Sequence, residues 1–423
     1  MSDIIKKQVL NGVNLYYIPD TKYKTISITA FLNRKLKREE ATKNALLSKV
    51  LKRGTETNKN IYELNVYADN LYGALYDVNI AKKSYVQSIV STVNFLSDEY
   101  TEESITEKCV TFLLDLLYKP NVNGESFDKE VFNVEKQNLK DDIEGLINDK
   151  RSYANFRCIE EMCKGEENAV FEFGYLEDLD GINETDLLNH YREIINVSPL
   201  DIFVVGSINE EELSTYIKEY FKDIPLDIKE ITPSSQSASK TKDVQYVEDV
   251  FDVNQGKLAM GFKTGITIDN PDYYALILGN SIFGSGAHSR LFNTVREKLS
   301  LCYYASSMTD KFRGIMLVSS GIEFVNFEKA KTEIAKQLEN IKNGEFTDEE
   351  FTVSKKFLVN NYRSIKDSAF SIKDYYRGQC FCGNKDSIDE AISKIESVTK
   401  EDVIRALSGV SLDTVYFLKG KEA

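Results

Sequence analysis

SGAHSRLFNTVREKLSLCYY, residues 285–304, carries the clearest local pattern in the chain. The glycines at its start predict a turn. Apolar residues at helical spacing, Leu291 and Val295 among them, predict a short amphipathic helix over 289–298. The residues from Tyr304 onwards alternate as they do in a strand. The stretch therefore predicts a turn, a helix and a strand in quick succession.

Two polar side chains in this stretch, Arg296 and Tyr303, are candidates for binding. Arg296 lies near the end of the predicted helix, and Tyr303 lies where the strand begins. A guanidinium and a phenol on one side of a cleft can both donate hydrogen bonds to a carbonyl oxygen or to a developing oxyanion. The simpler alternative is a surface arginine and a half-buried tyrosine.

The pattern S-R-L-F-x-x-V-R-E-K-x-x-L-x-Y in this stretch resembles the C-terminal half of the pitrilysin/insulinase family of zinc metallopeptidases. The matching residues are Ser289, Arg290, Leu291, Phe292, Val295, Arg296, Glu297, Lys298, Leu301 and Tyr303. The resemblance implies that Arg296 and Tyr303 bind the substrate backbone across a cleft from the metal. The family usually has glycine at the position of Ser300.

The resemblance also locates the family's metal motif, H-x-x-E-H, on the first long helix of the chain. Aligned on the following K-R-G-T, the two histidines become Ala45 and Lys49, and the glutamate becomes Ser48. In the family the histidines bind zinc, and the glutamate takes a proton from the attacking water. No catalytic residue and no bound metal are therefore expected in this chain.

A third metal ligand of the family comes from a later helix, where this chain has Glu135 and Asp142, with Asp142 at the ligand position. Lys49 would place an ammonium where the metal belongs, so we expect it to repel zinc. The carboxylate of Asp142 is then a candidate partner for Lys49 in an ion pair. The alternative, an acidic helix face in solvent, stays open at this point.

Other catalytic schemes find little support in the sequence. The chain has only two histidines, His190 and His288, and neither lies near another soft metal ligand in sequence. No G-x-S-x-G elbow and no P-loop is present, and no local pattern pairs a histidine with a cysteine or serine. We expect His190 to be a partly buried or surface residue of a helix, and His288 to make a hydrogen bond to the backbone in a turn.

Composition excludes several classes of function. The chain has 423 residues, a formal net charge of −14 and hydrophobic content of 42%. Such an acidic chain is not expected to bind nucleic acid, which requires a concentrated cationic face. No apolar run reaches the length of about 20 residues that a membrane helix needs. The start of the chain shows no signal peptide, and the six cysteines are scattered, so we expect a cytoplasmic protein.

The organisation of the chain suggests two similar halves. Residues 225–242 are rich in Ser, Thr, Lys and Pro and form the predicted linker between an N-terminal domain (1–224) and a C-terminal domain (243–423). Short motifs recur weakly, in the same order, in both halves. We expect an α+β fold in which each domain packs helices on an antiparallel sheet. The family resemblance implies that the two domains face each other as a clamshell, as in mitochondrial processing peptidase.

Two functions fit these observations. In the first, the chain contributes Arg296 and Tyr303 to a heteromeric zinc peptidase, and a homologous partner chain holds the zinc. The runs Glu63 to Ala74 and Asp149 to Arg157 support this, since they are similar to a zinc-less branch of the family in Gram-positive bacteria that typically accompanies a zinc-bearing relative.

In the second, the chain is a scaffold that binds a peptide or protein segment without cleaving it, for example by adding the segment to an exposed sheet edge. The chain would associate with a homologous subunit or with further copies of itself in either case. A self-sufficient peptidase conflicts with the missing metal ligands.

Overall fold

The computed structural model describes residues 4–166, 169–231 and 243–421. Residues 232–242, most of the predicted linker, lie outside this description. No helix within the described ranges is both long enough and apolar enough to cross a lipid bilayer.

The described chain contains both strands and helices along its length. The strands are β1 (Ile5–Leu10), β2 (Val13–Pro19), β3 (Thr25–Lys35), β4 (Leu75–Lys83), β5 (Val86–Leu96), β6 (Val122–Asn123), β7 (Ser126–Phe127), β8 (Leu200–Gly206), β9 (Gln245–Phe251), β10 (Gly256–Lys263), β11 (Tyr304–Asp310), β12 (Ile315–Ile322) and β13 (Ser411–Gly420). The α-helices are α1 (Arg38–Leu51), α2 (Ile61–Asn70), α3 (Thr106–Tyr118), α4 (Lys129–Gly145), α5 (Lys150–Met162), α6 (Leu176–Leu179), α7 (Glu184–Ile194), α8 (Glu210–Phe221), α9 (Tyr273–Phe283), α10 (Phe327–Lys342), α11 (Asp348–Ile365), α12 (Ala369–Gln379), α13 (Ile388–Ser397) and α14 (Lys400–Ser408). A π-helix spans Leu291–Lys298 within the predicted helix of residues 289–298.

The chain folds into two compact units, and each takes a segment from the other half of the sequence. The first unit comprises Met1–Glu144, Val170–Thr232 and Ala369–Gly378. The second comprises Gly145–Ala169, Pro233–Ser368 and Gln379–Ala423. Helix α5 therefore belongs to the second unit, and most of α12 belongs to the first. The prediction of two domains divided at a single linker places each of these helices in the other domain.

The first unit is built on a six-stranded sheet in the order β1-β2-β8-β3-β5-β4. All neighbouring strands are antiparallel except the parallel pair of β2 and β8. The hairpin of β1 and β2 turns at Asn11 and Gly12, and Gly12 has a φ of +72°. Glycine enters this left-handed region without steric cost, which suits it to the second position of the turn.

The second unit is built on a five-stranded sheet in the order β11-β12-β10-β13-β9. Its strands are also antiparallel apart from one pair, β9 with β13. This order and these directions match those of β4, β5, β3, β8 and β2 in the first sheet. The predicted α+β class, with helices packed on sheets, is confirmed.

Each sheet carries helices from its own half of the sequence on one face. In β3 the buried residues Ile26, Ile28, Ala30 and Leu32 join a large apolar core with residues of α1 and α3. The intervening residues of β3 point to the opposite face because side chains alternate along a strand. On that opposite face the sheet meets α12.

Helix α12 places two cationic side chains against the first sheet. Lys373 is buried, and its Nζ donates a hydrogen bond to Thr29 Oγ1 at 2.8 Å. Arg377 donates to Ser88 Oγ at 2.9 Å, and its guanidinium lies 4.0 Å from the ring centre of Phe31. The polar face of the sheet is thereby covered and bonded by a helix from far along the chain.

A buried network continues from Arg377 across the sheet. Ser88 Oγ donates to Asn33 Oδ1 at 2.7 Å, and Asn33 donates to Asp201 Oδ2 at 2.7 Å. Asn14 donates to the other oxygen of Asp201 at 3.0 Å. Burial raises the pKa of Asp201, and the two asparagine donors act against that rise. Both oxygens of this buried carboxylate therefore have partners, as a buried charge requires.

Helix α5 packs on the second sheet in the same way. Its Ala154 and Cys158 join a buried cluster with Ala259 of β10 and Tyr416 of β13. A Cβ atom at Gly261 would lie only 2.8 Å from the Met162 sulfur, so glycine at this position allows α5 to approach the strand closely.

By residue type Thr185 is a possible N-cap of α7, but the structure gives this role to another residue. The start of α7 is capped by Asn183, whose side chain accepts from the backbone N–H groups of Thr185 and Asp186, and not by Thr185. The sequence pattern could not separate two good capping residues that lie two positions apart.

The buried Lys373 makes stability depend on pH. Burial, with the nearby charge of Arg377, lowers its pKa from an ordinary 10.5 to about 8. Between these two values the unfolded chain binds more protons than the folded one, so this lysine makes stability rise with pH across that range. Relative to Lys373→Met, the free energy of unfolding should therefore rise by about 2–3 kcal/mol from pH 8 to pH 10.5.

Urea denaturation of both proteins at several pH values in this range measures the effect. Lys336→Met, at an exposed position on α10, is the control and should follow the parent curve. Parallel curves for the parent and Lys373→Met would contradict the interpretation.

Candidate functional site

A cavity of about 850 Å³ in the first unit brings together the five positions predicted for the altered metal motif. We call it the motif cavity. Residues of α1, α4 and the edge strand β4 form most of its wall, and Ile61, Phe173 and Phe370 add apolar surface. The predicted positions in this wall are Ala45, Ser48, Lys49, Glu135 and Asp142.

The predicted ion pair between Lys49 and Asp142 is present. Lys49 Nζ lies 2.6 Å from Asp142 Oδ2, and both side chains are partly exposed. Ser48 is buried, and its hydroxyl donates back to the carbonyl oxygen of Ala45 at 2.8 Å. Where the family has two imidazoles and a carboxylate, this helix presents a methyl group, an internally bonded hydroxyl and an ammonium.

Two further ion pairs line the motif cavity, and the sequence analysis missed both. Lys52 Nζ lies 2.6 Å from Asp77 Oδ1. Burial acts to raise the pKa of Asp77, but hydrogen bonds from Lys52 and Asn79 outweigh it and lower the pKa below its usual range.

The other pair joins Arg53 to Glu135, whose side chain is 5% exposed and also accepts a bond from Asn138 at 3.1 Å. Lys49 lies in the last turn of α1, and Lys52 and Arg53 follow just beyond the end of the helix, three and four residues further along the chain. That spacing was the available signal for the missed pairs.

The residues of the motif cavity do not fit a zinc ion. Zinc sites use imidazole, thiolate or carboxylate ligands, but both carboxylates of the motif, Glu135 and Asp142, are bonded to cations. In residues 4–166, 169–231 and 243–421 no group of three His, Cys, Asp or Glu side chains is arranged to hold a metal.

The two histidines lie outside both candidate cavities and serve packing. His190 is buried, and its Nε2 lies 2.8 Å from Asn44 Oδ1, to which it donates. Burial lowers its pKa to about 4, so the ring is neutral at pH 7. His288 packs against Phe357, with 4.8 Å between ring centres, and Nε2 lies 3.2 Å from Ser281 Oγ.

Arg296 and Tyr303 line one cavity of about 390 Å³ in the second unit. We call it the Arg/Tyr cavity. Its wall consists of Arg296, Glu297, Ser300, Leu301, Cys302, Tyr303, Glu323 and Asn326. The structure thus brings the two predicted binding residues to the same concave surface.

The backbone around Arg296 has an uncommon form. Leu299 N–H bonds to the carbonyl of Thr294 at 2.9 Å, five residues back, as in a π-helix. Such wide turns are rare and are found frequently at functional sites. The wide turn ends at the loop that leads to Tyr303, whose backbone N–H bonds to Gly321 of β12 at 2.8 Å.

The side chains of the pair have defined neighbours. The guanidinium of Arg296 lies 4.6 Å from the ring centre of Phe292, and one nitrogen lies 3.3 Å from Glu297 Oε1. Tyr303 is 54% exposed, and its hydroxyl donates a hydrogen bond to the carboxylate of Glu323. This bond raises the pKa of Tyr303.

Ser300 adopts the left-handed conformation, with a φ of +50°. Glycine enters this region without steric cost, whereas other residues pay for it. The conformation gives a physical reason for the glycine that the family usually has here.

Comparison with known proteins is consistent with this geometry. The family model described as "Peptidase M16 inactive domain" matches residues 181–358. The chain is 34% identical to "Probable inactive metalloprotease YmfF" of Bacillus subtilis (strain 168), over 97% of this chain and 96% of the relative. The chain belongs to the M16 peptidase family. It is an inactive M16 homologue, as the resemblance to the pitrilysin/insulinase peptidases implies.

Two further similarities extend the comparison. A crystal structure of a conserved protein from Enterococcus faecalis V583 is similar to this M16 homologue over 100% of both chains, with a TM-score of 0.91 and 29% identity. "Uncharacterized zinc protease YmxG" of Bacillus subtilis (strain 168) is 26% identical over 36% of this chain and 38% of the relative.

The ion pairs of the motif cavity differ in burial and should differ in strength. Arg53→Ala leaves the buried carboxylate of Glu135 without its cation and should lower the free energy of unfolding by about 2–3 kcal/mol. Lys49→Ala breaks a more exposed pair and should cost less than about 1 kcal/mol. Urea denaturation of both variants provides the comparison, and equal losses would contradict the assigned burial.

Ser300→Gly should stabilise the protein. The change removes the cost of a left-handed serine from the folded state, which stabilises the fold by roughly 1–2 kcal/mol. Glycine also gives the unfolded chain more conformational freedom, which offsets about 0.5–1 kcal/mol of that gain. We expect a gain of up to about 1 kcal/mol, measured by thermal or urea denaturation. Leu299→Gly, at a φ of −96°, is the control and should destabilise; a similar loss in both variants would contradict the strain.

Proposed function

We propose that this chain is the substrate-binding subunit of a heteromeric zinc peptidase, with the zinc held by a homologous partner chain. The observation that carries the proposal is that this chain has the family's arginine and tyrosine but not its metal ligands. Arg296 and Tyr303 line one cavity, whereas Ala45, Ser48 and Lys49 leave no metal site. The clamshell implied by the family resemblance is part of this proposal.

The proposed role of Arg296 and Tyr303 is to hold a peptide carbonyl by hydrogen bonds. Both side chains are donors, and both are accessible in the Arg/Tyr cavity. Donors fixed in advance at a reacting carbonyl stabilise the charge that develops there and orient the peptide for attack. The partner's zinc would supply the activated water, so cleavage requires both chains.

The relatives support a paired arrangement. Bacillus subtilis (strain 168) contains a relative named as an inactive metalloprotease and another named as a zinc protease. A homologue with an intact H-x-x-E-H motif in the same cytoplasm is the partner that this proposal requires.

A peptide-binding scaffold without a peptidase role is the second candidate. Strand β4 is an edge of the first sheet, and its residues from Asp77 to Ala81 line the motif cavity. An extended peptide can add to such an edge through backbone hydrogen bonds. The ion pairs of the motif cavity would then be part of a peptide site, and no partner zinc would be needed.

The proposal predicts a partner and a loss of activity in two variants. The tagged chain, purified from its native cytoplasm, should bring down a homologue with H-x-x-E-H at about one to one. In the reconstituted pair, Arg296→Ala and Tyr303→Phe should each lower kcat/KM for peptide hydrolysis by about 100-fold, because each removes one fixed donor.

Lys298→Ala, in the same π-helix but outside the cavity wall, is the control and should retain activity. Recovery of the chain alone, or full activity in the two variants, would overturn the peptidase role. If the chain binds peptides but no zinc-bearing homologue is recovered with it, the scaffold is favoured.

A further inference from the structure

Glu323 is a charged residue of the Arg/Tyr cavity to which neither the sequence nor the family comparison gave a role. It follows directly after β12, its side chain is exposed, and its carboxylate accepts the hydrogen bond from Tyr303. This carboxylate and the phenol therefore occupy each other in the free protein.

Two charged residues of the cavity wall, Arg296 and Glu323, differ in whether they have a partner of opposite charge. Arg296 has a carboxylate neighbour in Glu297, next to it in the chain. In the described part of the chain, by contrast, Glu323 is in no ion pair, and the neutral phenol is its hydrogen-bond donor. Glu323 lies in the wall of the cavity and is exposed, so a cation from outside can reach it.

Binding of a peptide would change the partner of Glu323. A phenol has one proton to donate, so Tyr303 cannot hold a peptide carbonyl and Glu323 through the same hydrogen. Once the phenol turns to the carbonyl, the carboxylate loses its donor. A lysine or arginine side chain on the peptide would replace it with a charge-assisted hydrogen bond.

We infer that Glu323 gives the Arg/Tyr cavity a preference for peptides with a lysine or arginine next to the carbonyl held by Tyr303. This inference rests on the proposed function, since it requires that a peptide occupies the cavity. Because Glu323 is exposed, the preference should be modest, about fivefold over a neutral side chain, and should weaken with salt.

Fluorescent ten-residue peptides that differ at one position test the inference with the full chain. The position carries lysine, the neutral isostere norleucine, or glutamate, and affinities are measured by anisotropy at low and at high salt. The parent should bind the lysine peptide about fivefold more tightly than the norleucine peptide. Glu323→Gln keeps an acceptor for Tyr303 but removes the charge, so it should bind both peptides alike.

Two more variants sharpen the test. Glu323→Lys should reverse the preference in favour of the glutamate peptide. Glu328→Gln removes a carboxylate on α10 that pairs with Lys331 outside the cavity wall, and it should keep the parent's preference.

The outcomes separate this inference from the proposed function. Equal affinity of the parent for the lysine and norleucine peptides would overturn the role of Glu323 and leave the peptide-binding role standing. An unchanged lysine preference in Glu323→Gln would do the same. Failure of the parent to bind any of the peptides would overturn the peptide-binding role and the inference together.

Discussion

A sheet has two faces, and in both units of this protein the second face is covered by a helix from the other half of the sequence. Lys373 and Arg377 of α12 bond to the first sheet, and α5 packs Cys158 against the second. Burying a lysine and an arginine is costly unless each finds partners. The buried network from Ser88 to Asp201 provides such partners on the face that α12 covers. The polar residues of the first sheet therefore match a helix that lies much later in the sequence.

The local elements were predictable because their causes are local. The Asn11-Gly12 hairpin, the helix that carries Lys49 and the strand after Tyr303 all follow from periodicity and turn residues. The pair of Lys49 and Asp142 was one of two alternatives left open by the aligned motif, and the structure contains it. The exchange of α5 and α12 was not foreseen, since α12 has the charge content of a surface helix and nothing local shows that its cations are buried. The partners of Lys52 and Arg53, and the position of Glu323, likewise depend on long-range packing.

The two cavities differ in the side chains that form their walls. In the motif cavity, three cations at and just beyond the C-terminal end of α1 meet three carboxylates. These ion pairs lie in the wall of the cavity and do not fill its interior. In the Arg/Tyr cavity the donors are kept on a wide helical turn and a strained serine. Each unit therefore has a concave surface, although the residues of the motif cavity do not fit a zinc ion.

The position of α12 in the sequence also affects when the first unit can finish folding during synthesis. The first sheet is fully encoded by Gly206, but α12 begins only at Ala369. At a translation rate of about 5–20 residues per second, the ribosome takes on the order of ten seconds or more to make the intervening chain. During that time the polar face of the first sheet lacks its cover, and an N-terminal half released early could not complete its fold. Both units are finished only when almost the entire chain has left the ribosome, which makes folding of this protein a late, joint event.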